Sequence, residues 1–105
     1  MDRTERYAEA QKYLEKALSL QPDEAVIIDS YGWLEYKLNH LDKALDYLRR
    51  AYSLQHENEI AAHLIEVLWS LGRKEEARKL FEKAIKAAPD DEYLLDIQKR
   101  ILNAE

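Results

Sequence analysis

The sequence predicts an all-α fold in which about six helices stack as a solenoid of antiparallel pairs. Apolar residues recur at intervals of three and four along almost the whole chain, which is the spacing of one helical face. The 105 residues include only two glycines and two prolines, so these few breakers indicate boundaries. The pattern of small and large apolar residues also returns after 33 or 34 residues. A period of this length is typical of a helical-repeat protein.

Composition and charge exclude several other classes of protein. A hydrophobic fraction of 47% and a mean hydropathy of -0.61 predict a folded chain that is soluble. The net charge of -5 comes without a basic block, which argues against binding to nucleic acid. The apolar runs are far shorter than the roughly 20 residues of a membrane span, so we expect no membrane insertion. The absence of cysteine leaves the redox compartment open.

The breakers divide the chain into elements of similar length: Pro22, Asn39, His56, Gly72 and Pro89. We predict a first helix over residues 3–21, a helix pair over 23–55, a second pair over 57–89 and a last helix over 91–104. The first helices of the two pairs lie within residues 24–38 and 58–71 and carry the larger apolar side chains. In the last helix Leu94, Ile97 and Ile101 form an apolar seam with polar residues opposite, as expected of a helix that closes a solenoid.

Alignment of the chain with itself identifies the residues that repeat. Alanines seven residues apart, with a large apolar residue between them, occur three times, as Ala10, Leu14 and Ala17, then Ala44, Leu48 and Ala51, then Ala77, Phe81 and Ala84. On a helix this places a close-approach face beside a bulky side chain. The sequence therefore predicts that these residues pack the helices of one repeat together.

These residues resemble the tetratricopeptide repeat (TPR), whose signature also has a glycine in the first helix and a proline at the end. Tyr31-Gly32 and the turn residue Gly72 continue the resemblance, which extends over nearly the whole chain. It implies a single TPR domain over 1–105, with about two and a half repeats and a C-terminal capping helix. The first helix would then be the second helix of a truncated repeat, so we expect the N-terminus to be cut and the C-terminus to be natural.

Three positions depart from the family pattern. His56 replaces a proline, so we expect a looser turn around residues 55–58, and Ile65 replaces the repeat's glycine. Asn39 takes a turn position usually given to glycine, which is tolerable because Asn enters the left-handed backbone region readily. The run from Asp29 to Trp33 with Tyr36, and the later runs Ala61 to Leu64 and Glu66 to Trp69, also look like the C-terminal part of long bacterial TPR proteins. That narrower resemblance implies a cell-envelope or periplasmic location for the parent protein, with the cytoplasm as the alternative.

The resemblance places the functional surface on the first helix of each pair, which lines a concave groove in this family. The predicted groove residues are Asp29, Trp33, Tyr36, Lys37, His63, Glu66 and Trp69. Aromatic side chains with polar neighbours are typical of peptide-binding hot spots. Packing between adjacent helices is the alternative interpretation of Trp33 and Trp69. The Lys, Asn and Arg that clamp a terminal carboxylate in some TPR domains are absent from the matching positions, so we expect a basic or apolar partner segment.

No catalytic residue, cofactor or metal is predicted. The sequence has no Gly-rich phosphate loop and no cysteine nucleophile. Glu59, His63 and Glu66 share one helical face and could ligate a divalent ion, but such a set is more often a solvated stripe. We therefore predict a non-catalytic scaffold that binds a protein or peptide. The alternative is a structural segment that ends a longer solenoid or forms a homodimer through exposed Tyr7 and Leu14 of the first helix.

Overall fold

A computed structural model describes residues 3–104, with side chains described for residues 6–103. The helices, in chain order, are α1 (Arg3–Leu20), α2 (Ala25–Lys37), α3 (Leu41–Leu54), α4 (Asn58–Ser70), α5 (Lys74–Ala87) and α6 (Glu92–Arg100). A short 3-10 helix, Leu102–Ala104, follows α6, which is therefore shorter than the helix predicted over 91–104. The described residues contain no strand, and the predicted all-α fold of six helices is confirmed. None of these helices is both long and apolar enough to cross a lipid bilayer.

The chain divides into two compact units, residues 1–55 and residues 56–105. In the first unit α2 packs against both α1 and α3. The Tyr31 hydroxyl contacts Glu15 on α1, and the Tyr31 ring lies 4.7 Å from the Tyr47 ring on α3. In each of these two contacts, the two residues lie about equally far along the chain from the loop that joins their helices. Each pair of neighbouring helices is therefore antiparallel.

The core of the first unit is a close contact between α2 and α3. Ala44, Leu48 and Ala51 of α3 are completely buried, as is Ile28 of α2. Opposite them, a Cβ atom at Gly32 would lie only 3.0 Å from the Leu48 and Tyr47 side chains. The glycine thus lets two helices approach more closely than any larger residue would permit. On α1, the corresponding Ala10, Leu14 and Ala17 are half-buried.

The second unit is built around α4, which packs against α5 and α6. Ile65 and Leu68 of α4 are buried almost completely, and so are Leu94 and Ile97 of α6. The repeat alanines and the phenylalanine of α5 are also buried: Ala77, Phe81 and Ala84. The α6 helix starts with a side-chain cap, because the Asp91 carboxylate accepts a hydrogen bond from the Leu94 backbone N–H at 3.0 Å. This cap fixes the point at which the last helix begins.

The α2 and α4 helices end in the same way, with a residue in the left-handed region. Asn39 has φ 66° and Gly72 has φ 82°, which confirms the expectation for Asn39. The N–H of His40 donates to the carbonyl of Glu35, and the N–H of Arg73 donates to that of Leu68. These bonds satisfy carbonyls left open at the end of each helix, in the Schellman arrangement. The α3 helix instead ends in extended backbone at Gln55, and residues 55–57 form no turn.

Candidate functional site

Three of the predicted groove residues come together on α2. The Trp33 ring stacks on the Tyr36 ring, with centroids 4.8 Å apart and an angle of 25° between the planes. The Lys37 ammonium lies 5.2 Å from the centre of the Trp33 ring, a distance at which the cation and the ring attract each other. Both rings are half-buried, and Lys37 is exposed. Residues three and four apart share a helical face, so α2 presents one ordered aromatic surface with a cation beside it.

The other accessible residues of this helical face are uncharged. Val26, seven residues before Trp33, is 53% exposed, and Ser30 is also exposed. Asp29, predicted as a groove residue, is only 7% exposed. We call Val26, Ser30, Trp33, Tyr36 and Lys37 the aromatic face of α2. The accessible charge on this face is therefore the ammonium of Lys37.

In the second unit, Glu66 on α4 is held by an arginine of α6. The Arg100 guanidinium donates to the Glu66 carboxylate at 2.9 Å and to the Asp96 carboxylate at 2.8 Å. Hydrogen bonds from the guanidinium to Asp96 and Glu66 raise the pKa of Arg100. His63 is half-buried and Glu59 exposed on the same helix. Within the described residues, no three histidine or carboxylate side chains are grouped so that they could hold a metal ion.

Trp69, the last predicted groove residue, is surrounded by cations. The Lys74 ammonium and the Arg78 guanidinium each lie 5.0 Å from the centre of its ring, and the ring itself is half-buried. Both cations belong to α5, so Trp69 packs at the junction between α4 and α5. Two cations therefore flank the Trp69 ring, and the Glu66 carboxylate is paired with Arg100.

A polar cavity of about 430 Å³ lies among α1, α2 and α3, and sequence reasoning missed it. Tyr31 and Glu35 line it from α2, and Glu35 is only 1% exposed. The His40 Nδ1 atom lies 2.7 Å from Glu35 Oε2, and Gln11 Nε2 lies 3.5 Å from Glu35 Oε1. The sequence did contain a signal, because the residue 33 positions later is Leu68, so a carboxylate stands where the next repeat has a leucine.

The exposed apolar surface of α1 differs from the predicted one. Tyr7 and Leu14 are half-buried, whereas Tyr13 and Leu20 are each 74% exposed. Tyr13 and Leu20 line a shallow cavity of about 280 Å³ with Lys16 and Ala17. Because these residues are three and four apart, they form a single stripe along α1. We call Tyr13, Lys16, Ala17 and Leu20 the α1 stripe.

Comparison with known proteins identifies the family. Residues 30–92 match one tetratricopeptide-repeat sequence family, and residues 2–24 match a second. A TPR repeat-containing protein of Pseudomonas aeruginosa is 46% identical over 63 residues, which make up 60% of this chain and 11% of that protein. The matched part of this chain therefore spans about a tenth of the length of that relative.

Solved structures agree with this assignment. A thermophilic TPR protein of Thermus thermophilus superposes with a TM-score of 0.84 at 31% identity, covering 98% of this chain and 53% of the other. The first TPR domain of Spaghetti (RPAP3), solved with the HSP90 peptide SRMEEVD, superposes with a TM-score of 0.81 at 18% identity, covering 97% of this chain and 82% of the other. The fold is thus that of a TPR solenoid, a scaffold on which proteins interact. The chain belongs to the tetratricopeptide-repeat family.

Proposed function

We propose that the aromatic face of α2 binds an apolar segment of another protein. The observation that carries this proposal is the stack of Trp33 on Tyr36 beside Lys37. Large aromatic side chains dominate the binding energy of many interfaces, since they bury a large apolar area around a polar tip. Stacking already restricts both rings, so these two side chains lose less conformational entropy when a partner binds them. Val26 extends the face with further exposed apolar surface.

The charges favour an apolar partner segment over a basic one. Lys37 is the accessible charge on the aromatic face, and a cation there repels lysine and arginine. On α4, Glu66 is already paired with Arg100, and Lys74 and Arg78 surround Trp69. We propose that His63 and Trp69, on α4 of the second unit, also contact a partner protein. Leucine, isoleucine or phenylalanine side chains fit such a surface best.

The comparison with a peptide-bound relative supports binding as an activity but suggests a different ligand. The Spaghetti TPR domain was solved with a peptide that ends in Glu-Glu-Val-Asp. At the positions where other TPR domains carry a carboxylate clamp, this chain has Asp29, Trp33, His63 and Glu66. None of these four residues is a lysine, asparagine or arginine, so these positions lack the donors that would hold a terminal carboxylate. We therefore propose a partner that binds through an internal apolar segment.

Selection from a random peptide library tests this proposal. The chain serves as bait, and the affinity of each selected peptide is measured by fluorescence polarisation. We expect the double variant Trp33→Ala/Tyr36→Ala to lose affinity at least about tenfold, because hot-spot aromatics commonly contribute about 2 kcal/mol or more. Tyr93→Ala is the matched control, since it removes an exposed aromatic from α6. Peptides that bind the double variant as tightly as the unmodified chain would contradict the proposal.

The α1 stripe favours self-association as a second candidate function. Tyr13 and Leu20 present contiguous apolar surface beside a shallow cavity, and a second copy of α1 could bury both. A two-fold dimer would use the same stripe on each chain. The apolar residues of the stripe make this contact, so it would form without a substitution that reverses the charge of Lys16.

Sedimentation velocity tests self-association directly. If the stripe mediates a dimer, the average mass rises with concentration in the unmodified chain and stays monomeric in Tyr13→Ser/Leu20→Ser. Leu95→Ser is the control, because Leu95 is also an exposed leucine but lies on α6. A monomeric mass at high concentration in the unmodified chain would exclude this candidate.

A further inference from the structure

We propose that the cavity among α1, α2 and α3 is a second binding site, and that it takes the guanidinium group of an arginine from a partner protein. This site is separate from the aromatic face. Successive residues of a helix are turned by about 100°, which places Tyr31 and Glu35 on the side of α2 opposite Trp33 and Lys37. The two proposals can therefore fail independently of each other.

The cavity has the size and lining of a ligand site. Its volume of about 430 Å³ falls in the usual range for small-ligand pockets, roughly 300 to 1,000 Å³. Three helices contribute to its walls, so the positions of the lining groups are fixed by helix packing. The lining contains three carboxylates, Glu15, Glu35 and Asp46, and one cation, Lys43. This excess of negative charge favours a positively charged ligand.

The buried carboxylate of Glu35 is the strongest indication of a ligand. Burial of a charge is unfavourable unless hydrogen bonds and an opposite charge compensate for it. Oε2 has a close partner in His40, at 2.7 Å. Among the described residues, the partner of Oε1 is the amide of Gln11 at 3.5 Å, a hydrogen bond longer than the usual N–H···O distance. Since Gln11 and Glu35 both line the cavity, Oε1 retains the capacity to accept hydrogen bonds from a ligand there.

The aromatic walls distinguish guanidinium from other cations. The rings of Tyr31 and Tyr47 lie 4.7 Å apart at an angle of 57°, and both line the cavity. A planar guanidinium can donate two parallel hydrogen bonds to a carboxylate and lie flat on a ring at the same time, a combination that neither a tetrahedral ammonium ion nor a hydrated metal ion offers. The tyrosine hydroxyl also senses the field of the carboxylates. Burial above all, and then the charges of Glu15 and Glu35, raise the pKa of Tyr31, although its hydrogen bond with Gln11 has the opposite effect.

An NMR titration of the full chain tests the proposal. The probe is N-acetyl-arginine amide, and the control is N-acetyl-citrulline amide, which has nearly the same shape but no charge. We expect the arginine probe to shift the ring signals of Tyr31 and Tyr47 saturably, with a roughly millimolar Kd suited to so small a ligand. The citrulline control should produce no saturable shift. Equal shifts with both probes, or no saturable shift with arginine, would overturn the proposal.

Charge-neutral variants identify the group that binds the probe. Glu35→Gln should weaken binding about tenfold or more, because an arginine would lose its buried anionic partner. Glu82→Gln is the matched control, since Glu82 is an exposed carboxylate on α5 that does not line the cavity, and the affinity of this variant should be unchanged. If Glu35→Gln does not fold, Asp46→Asn on the more exposed wall of the cavity replaces it and should weaken binding severalfold. Unchanged affinity in a folded variant of either carboxylate would contradict the assignment.

Free L-arginine separates the two possible sources of the guanidinium. Its charged α-ammonium and α-carboxylate cost more to desolvate than the neutral amides of the capped probe, so it should bind more weakly than that probe, which imitates an arginine within a protein chain. That result supports a partner protein as the source. Tighter binding of free arginine would instead identify a small molecule as the ligand and would overturn the assignment to a partner protein.

Discussion

Gly32 shows how a single residue fixes the distance between two helices. An added Cβ would lie 3.0 Å from the Leu48 Cγ and from the Tyr47 Cβ. The Tyr47 Cβ is attached directly to the α3 backbone, so it cannot move aside by rotation of a side chain. Relief of the clash therefore requires α2 and α3 to separate, which would weaken the completely buried contacts of Ala44 and Leu48.

We predict that Gly32→Ala lowers the free energy of unfolding by about 1 to 3 kcal/mol, the usual cost of overpacking a core. The loss should appear even though alanine favours a helix by roughly 1 kcal/mol over glycine. Urea denaturation followed by circular dichroism measures the change. Ser30→Ala, at an exposed position of the same helix, is the control and should alter stability by less than about 0.5 kcal/mol. Stabilisation by Gly32→Ala would show that the helices have room to separate.

Tyr31 should make stability depend on pH in the alkaline range. The pKa of its hydroxyl is raised in the folded chain, mainly by burial, so the folded state retains this proton more strongly than the unfolded state. The contribution is present below the unfolded pKa of about 10 and is lost as the pH rises through the folded pKa. We predict that the urea midpoint falls less steeply above about pH 10 in Tyr31→Phe than in the unmodified chain. Parallel pH profiles of the two proteins would disprove a role for Tyr31.

At the scale of the helix, the shared way in which α2 and α4 end yields a comparison between two residues in one geometry. Asn39 and Gly72 both have positive φ, and a Cβ at Gly72 would meet nothing within 4 Å. Substitution at Gly72 is therefore a test of backbone strain alone. Asparagine tolerates this region better than alanine does, because its polar side chain can bond locally.

We predict that Gly72→Ala costs about 1 kcal/mol and that Gly72→Asn costs less, since Asn39 already occupies the equivalent place. Asn39→Gly should be neutral or stabilising by roughly a few tenths of a kcal/mol. Thermal and urea denaturation of the three variants provide the measurement. If alanine and asparagine at residue 72 give equal stability, left-handed strain does not determine how these helices end.

The last helix offers a matched pair of adjacent leucines. Leu94 is completely buried within the second unit, whereas Leu95 is 44% exposed. We predict that Leu94→Ala lowers the free energy of unfolding by about 2 to 4 kcal/mol, through lost burial and the cavity left behind. Leu95→Ala should cost less than about 0.5 kcal/mol, and the two are compared in the same urea titration. Equal effects would mean that α6 is not packed as the structure shows.

At the scale of the whole molecule, the two compact units suggest that distant substitutions act independently. Gly32 packs against α3 in the first unit, and Leu94 is buried within the second. We predict that the losses from Gly32→Ala and Leu94→Ala add to within about 0.5 kcal/mol in the double variant. A double-mutant cycle by urea denaturation measures the coupling. A larger coupling energy would show that the effects of the two substitutions are transmitted between the units.

The fold was predictable because the repeat period and the helical spacing recur in every element. Asn39 and Gly32 could be interpreted individually, since the turn and the close approach each require a particular residue type. The surface was less predictable, because an ion pair between two helices neutralises a charge that the sequence alone presents as available. The sequence predicts Glu66 as a groove residue, but it does not reveal that Arg100, 34 residues later, pairs with the Glu66 carboxylate. Glu35 was missed because helical periodicity identifies apolar positions and does not explain a carboxylate placed at one of them.

The burial of Glu35 has a consequence for protein engineering. A design that averages the repeats would replace Glu35 with leucine, as at Leu68, and a well-packed apolar residue there should equal or exceed the carboxylate in stability. The same change would erase the anion from the cavity wall. Consensus design would thus stabilise the scaffold but remove the carboxylate that distinguishes this repeat from the next one. The residues that fit the repeat least well are the ones to preserve when the chain is redesigned.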